Sequence, residues 1–306
     1  MNKETASNIT LLKVKDYVGL TKMTLSFTVV FSCVVCYLLS PSIVEYNLKM
    51  IVLLFVVGLF IAGSANAINQ AVEKDTDAMM RRTANRPVAS GRISPGNALV
   101  FAGIIGIIGV LLMYCFFNVA AALISAGSLF LYAFIYTPLK KVNAIAVIVG
   151  AVPGALPCLI GWVAGFPKDE PVLWSGGLIL FAIQFLWQFP HFWAIAWVAH
   201  NDYSKAGFKL LPSDKGPTKF TAMQTVVYSL MMIPVGVLPF YMGKANGDAM
   251  CSGYIGLIII VLCNIFMLVQ SLRLYISMDV KSARRVMFSS YIYLPIVLLT
   301  LLACKA

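Results

Sequence analysis

Acidic residues are scarce in this chain. Only 12 of its 306 residues are Asp or Glu, against 23 Lys and Arg, and there are two histidines. With 11% charged and 60% hydrophobic residues, it lacks the polar surface that a soluble globular domain of this length must present to water. No interior polar stretch is long enough for a separate soluble domain, so a single integral-membrane domain over 1–306 is expected. The net charge of +11 comes without a basic domain interleaved with aromatics, which leaves no case for a nucleic-acid partner. The seven cysteines form neither a metal-ligand spacing nor an even disulfide set, and Cys33 and Cys36 sit inside an apolar run as packing residues. The first 22 residues, with Lys3, Glu4, Lys13, Lys15 and Asp16, are too polar for a signal peptide, so the N-terminus reads as a retained cytoplasmic segment.

What is abundant is apolar segments of spanning length. They fall at 23–40, 50–70, 97–116, 119–137, 144–164, 173–200, 220–242, 253–276 and 286–303. The expected fold is all-α, a polytopic bundle of nine transmembrane helices with a central cavity open to the cytoplasmic side. Lys and Arg divide 19 to 4 between the two sides, which places the N-terminus and the long loops 71–96 and 201–219 in the cytoplasm. The fifth span carries Gly150, Pro153, Gly154, Pro157 and Gly161, and so many breaks suit the bundle interior or a cavity wall better than lipid. The third and fourth spans need a tight turn near Asn118.

The scarce acids are not scattered. Asn69, Glu73 and Asp77 recur every fourth residue where the second span leaves the membrane, so a continuing helix would put them on one face, with Arg81 next in the row. Oxygen donors in such a row suit a hard cation such as Mg2+, which commonly bridges one or two carboxylates to phosphate oxygens. Lys74, Arg81, Arg82 and Arg86 lie alongside, and guanidinium suits phosphate. The plainer alternative is a solvated helix end with ion pairs and positive anchors. The second long loop is entered through Phe189–Pro212, where His191, Ile195, Val198 and Asp202 would share a helical face and Lys205 and Lys209 would extend it. His191 alone also fits a hydrogen-bonded core position, and Tyr136 and Lys140 also fit membrane anchors.

At these residues the chain resembles the intramembrane aromatic prenyltransferase superfamily, whose mark is N-D-x-x-D-x-x-x-D after the second helix. Asn69, Glu73 and Asp77 fall on its asparagine and two later acids, with Glu73 replacing the usual aspartate. Within it the chain is similar to the haem-farnesylating branch. The matching pieces are R-T-x-x-R-P at 82–87, Y-T-P-L-K at 136–140, G-A-x-P-x-x-I-G-W at 154–162, H-F-W at 191–193, and D-Y-x-x-A-G with L-P at 202–212. The resemblance implies a Mg2+-dependent transferase that moves a farnesyl group from farnesyl diphosphate to a vinyl group of protohaem IX (haem b), adding water. It would be a multi-pass protein of a bacterial plasma membrane, with a haem A synthase or terminal oxidase assembly among its partners.

The same resemblance implies the site. Asp77, Asp202 and His191 would be catalytic, with metal held by Asn69, Glu73, Asp77 and Asp202. Lys74, Arg81, Arg86, Lys140 and Lys205 would bind diphosphate, and Tyr136, Trp193 and Tyr203 would contact substrate or cation. The other readings are a prenyltransferase acting on a quinone precursor or chlorophyll-type ring, and a polytopic transporter, for which ionisable groups near the bilayer midplane would be expected.

Overall fold

The computed structural model describes residues 13–305 except 214, 247–249 and 252, and leaves out the side chains of 242–246. Lys3 and Glu4 therefore lie outside the described residues, and of Lys244 only the helical backbone is described. The described residues are helical without strands. Hydrocarbon offers the backbone no water, so each crossing segment must satisfy its own N–H and C=O groups.

The described residues begin with α1 (Lys13–Leu20), inside the segment 1–22 that was expected to be cytoplasmic. A 46° bend separates it from α2 (Met23–Leu39). α3 (Leu48–Val72) ends at Glu73, and the short α4 (Lys74–Met79) follows. Next come α5 (Pro95–Phe116), α6 (Val119–Phe130), a π-helical turn (Leu131–Tyr136) and α7 (Thr137–Leu139). α8 (Ala146–Ala164), α9 (Trp174–Val198) and the short α10 (His200–Lys205) precede α11 (Lys219–Asn246), α12 (Tyr254–Ser277) and α13 (Val280–Ala303). Eight of these helices or helix runs are long and apolar enough to cross a membrane, in the places the apolar segments foretell, and the bent α1–α2 pair is a ninth if it crosses as one span.

α8 and α9 form the middle of the bundle. The apolar window of α8 is 72% buried and that of α9 61%, against 22% for α5, so the Pro and Gly breaks of α8 sit in the interior as expected. Gly161 lies against the Cys33 backbone of α2, where no side chain has room. The carbonyl of Pro153, deprived of its usual donor by Pro157, accepts from Ser128 at 3.4 Å. Gln184 and Gln188 of α9 donate to the α8 carbonyls of Gly154 (3.1 Å) and Ala151 (2.9 Å). These amides are accounted for as helix–helix bonds.

Asn118 makes the tight turn between α5 and α6. Its Oδ1 accepts from the Ala121 amide at 2.8 Å, capping α6, and its Nδ2 donates to the Val163 and Phe166 carbonyls. α3 and α5 approach closely through Gly106 and Gly109, which face Ser64 and Ile61. All seven cysteines are free thiols.

Candidate active site

Three polar groups on consecutive turns after the middle of α3 are buried, and each meets a cation from another part of the chain. Asn69 Oδ1 accepts from Lys22 Nζ at 2.8 Å. Glu73 Oε1 pairs with Lys140 Nζ at 2.9 Å, and Arg86 Nη1 bonds both oxygens of Asp77 at 2.8 and 2.7 Å. The helix row is interrupted at Glu73, yet amide bonds from Glu73 to Asn69 (2.9 Å) and from Asp77 to Glu73 (2.8 Å) keep the three in helical succession. Arg81 does not continue the row, because the helix ends at Met79 and Arg81 is exposed on the following turn.

Each cation is placed by its own local device. Lys22 stands at the α1–α2 bend with left-handed backbone (φ 47°), a cost of roughly 1–2 kcal/mol that needs support. That support comes from α3, where Asn66 donates to the Thr21 carbonyl and Gln70 donates to the carbonyls of Gly19 and Leu20. Arg86 is carried by a series of turns in which the Thr83 hydroxyl donates to the Asp77 carbonyl at 2.8 Å. Lys140 follows the π-turn, closed by the Thr137 amide bonding the Tyr132 carbonyl five residues back. The widened turn sets Tyr132 and Tyr136 ring to ring at 5.2 Å and puts Lys140 Nζ 4.4 Å from the Tyr136 centroid. Burial opposes the Lys140 charge, but the tyrosines and the Glu73 carboxylate overcome it, and its pKa is raised.

The second loop closes over this array. Arg82 donates to the Tyr203 hydroxyl at 3.0 Å and lies 5.5 Å from its ring, and its guanidinium feels both Asp202 and Asp77. Met80 packs with Ala206 and Phe208, and the Lys209 amide bonds the Lys140 carbonyl at 2.9 Å. A cavity of about 330 Å³ lies within the second loop itself, lined by Ala196, His200, Tyr203, Phe208, Leu211 and Gly216 among others.

Other expected members fall elsewhere. The helix breaks at Ala199, where the chain enters α10, so Asp202 is half-buried there and does not share a straight helical face with His191. Lys74 is half-buried on α4 and Lys205 exposed, and neither forms an ion pair among the described residues. Trp193 is buried against Phe189 and Tyr228 in the packed core. His191 is buried and stacks on Trp187 (4.7 Å), with Nδ1 2.7 Å from Ser290 Oγ. The Ser290 hydroxyl donates to the Met287 carbonyl at 2.6 Å, so it accepts from His191 Nδ1–H, and the Nε2 lone pair remains.

Lys22, Asn66, Gln70, Tyr132 and Ser290 were not singled out by the sequence reasoning. Asn66 and Gln70 carried a signal, two polar residues four apart on the apolar helix that bears Asn69. Lys22 had only been counted for topology, since its left-handed backbone is invisible in a string of letters.

Comparison with known proteins identifies the architecture. Residues 29–292 match the UbiA prenyltransferase family. The chain belongs to this family. A protoheme IX farnesyltransferase of Cytophaga hutchinsonii is 42% identical over 281 residues, covering 92% of this chain and 94% of the relative. One of Solibacter usitatus is 35% identical over 92% of this chain and 96% of that protein. Among solved structures, a digeranylgeranylglyceryl phosphate synthase superposes with a TM-score of 0.76 at 24% identity, covering 95% of this chain and 98% of that one. A UbiA homologue from Archaeoglobus fulgidus, bound to DMAPP and Mg2+, gives 0.66 at 14% identity, covering 94% and 99%. The fold is that of these intramembrane prenyltransferases.

Among the described residues no three His, Cys, Asp or Glu side chains cluster as a metal site. The donors still suit Mg2+, which takes one or two protein carboxylates and completes its shell with phosphate oxygens and water. Glu73 and Asp77 supply two buried carboxylates, and the Asn69 Nδ2 beside them is a donor without a partner, suited to a phosphate oxygen rather than to the metal.

Proposed function

We propose that this protein transfers the farnesyl group of farnesyl diphosphate to a vinyl group of protohaem IX, with addition of water, giving haem O and diphosphate. The observation that carries the reading is the buried array in which Lys22, Lys140 and Arg86 face Asn69, Glu73 and Asp77. Two ion pairs and the Lys22 amine, gathered at the buried oxygens of Asn69, Glu73 and Asp77, form a set of nitrogen donors that a polyanion can take over. The protoheme IX farnesyltransferases at up to 42% identity over nearly the whole chain support the choice of substrates.

Lys140 and Arg86, released from their carboxylates, would bind the diphosphate and stabilise the charge that develops as it leaves. Mg2+, when bound, supplies further neutralisation of that charge. Asn69, Glu73 and Asp77, with Asp202 from the second loop, are the oxygen donors that would hold it. The rings of Tyr132 and Tyr136 would offer π-faces to the allylic cation, and the second loop, tied to the first through Arg82 and Tyr203, would limit the access of water. His191, its tautomer set by Ser290, presents Nε2 as a ligand for the haem iron or an acceptor for the terminating water.

The array lies at the end of the bundle that carries most of the cations, proposed to face the cytoplasm of a bacterial plasma membrane. The test is expression in a host lacking its own haem O synthase, followed by haem extraction. Farnesylated haem is expected, and its absence with folded protein in the membrane rejects the reading.

A further inference from the structure

At the end of the bundle opposite the cation array, two thiols meet. Cys251 precedes α12 and Cys304 follows α13, and both sulfurs press on Gly256 of α12. A Cβ at Gly256 would lie 3.2 Å from the Cys251 sulfur and in collision with that of Cys304. Both sulfurs converge on this one position, and both thiols are free. They differ in access: Cys251 is buried, whereas Cys304 is partly exposed. Both stand just outside regular helix, where the backbone can supply the small shift that a disulfide requires. The neighbouring Lys305 fixes the chain end here, its ammonium donating to the carbonyls of Leu38 (2.7 Å), Ser40 (2.8 Å) and Ile43 (2.7 Å).

We infer that Cys251 and Cys304 are a disulfide-forming pair that fastens the α11–α12 connection to the chain end when a small disulfide oxidant reaches this face. The partly exposed Cys304, as its thiolate, attacks the external disulfide, forming a mixed disulfide and releasing one thiol. Cys251 then attacks the Cys304 sulfur and releases the second thiol. Two protons leave the protein, and the external disulfide takes up the two electrons. Cys33, Cys36 and Cys158 are buried in the core, and Cys115, which is exposed, can take glutathione only as a mixed disulfide.

The pair is separate from the proposed active site, so the test needs no turnover. Membranes containing the full chain are treated with oxidised glutathione, alkylated, digested without reduction and mapped by mass spectrometry. A peptide containing Cys251 linked to one containing Cys304 is expected, and it should disappear on reduction. In Cys304→Ser the link should be lost and Cys251 should become alkylated only after denaturation. Full alkylation of both thiols in the oxidised wild type overturns the inference, as does persistent glutathione on Cys304 beside a free Cys251.

Discussion

Asp77 and Arg86 lie nine positions apart and form one ion pair, with Asp77 almost wholly buried and Arg86 partly exposed. Asp77→Asn keeps the shape and removes the charge, leaving Arg86 facing an amide. Haem O formation in purified membranes should fall by about 10²- to 10³-fold, the range for losing one charge-stabilising group at a reacting centre. Near-normal turnover would count against the diphosphate site. Ser290 offers a separate test because it acts through His191. Ser290→Ala should lower turnover by about 10- to 100-fold and shift the spectrum of bound haem, while the KM for farnesyl diphosphate stays unchanged. At this scale the sequence showed the acids but not their partners. Lys140 is 67 positions from Glu73, and Lys22 is 47 from Asn69. Such distances are closed only by folding.

Among the elements, the π-turn at Leu131–Tyr136 is the one hydropathy could not reveal. Its extra residue changes neither length nor apolar character, only the direction in which Tyr136 and Lys140 point. Deleting Phe134, whose ring is largely exposed, should restore ordinary α-helix. Tyr136 and Lys140 would then turn by roughly 100° relative to α6 and lose Tyr132 and Glu73. The expected outcome is protein at normal levels in the membrane with a KM for farnesyl diphosphate raised at least about tenfold. Phe134→Ala, which keeps the register, should leave it unchanged. An unaltered KM in the deletion would mean that the turn does not aim Lys140. By contrast, the interior place of α8 was legible, because Pro153, Pro157 and its glycines are costly against lipid. The break at Ala199 was not, since nothing in H-N-D-Y-S-K forbids α9 from continuing, and Asp202 was therefore put on the wrong helix.

For the whole molecule, hydropathy located every crossing segment, and the 19-to-4 division of cations proposes which end faces the cytoplasm. The nine spans read from it include 23–40, and the structure reopens that first one. At about 1.5 Å per residue, the 17 residues of α2 span about 26 Å, a little short of a hydrocarbon core of about 30 Å. α1 continues beyond the bend and can supply the rest. The Lys305 ammonium holds the chain end to the carbonyls of Leu38, Ser40 and Ile43, at the far end of α2 from Lys22. If α2 spans, the number of crossings is odd and the two termini lie on opposite sides. A green fluorescent protein at the N-terminus should then fluoresce, and an alkaline phosphatase at the C-terminus should be active in intact cells. An inactive phosphatase beside a fluorescent N-terminus would put both ends on one side and reduce the crossings to eight.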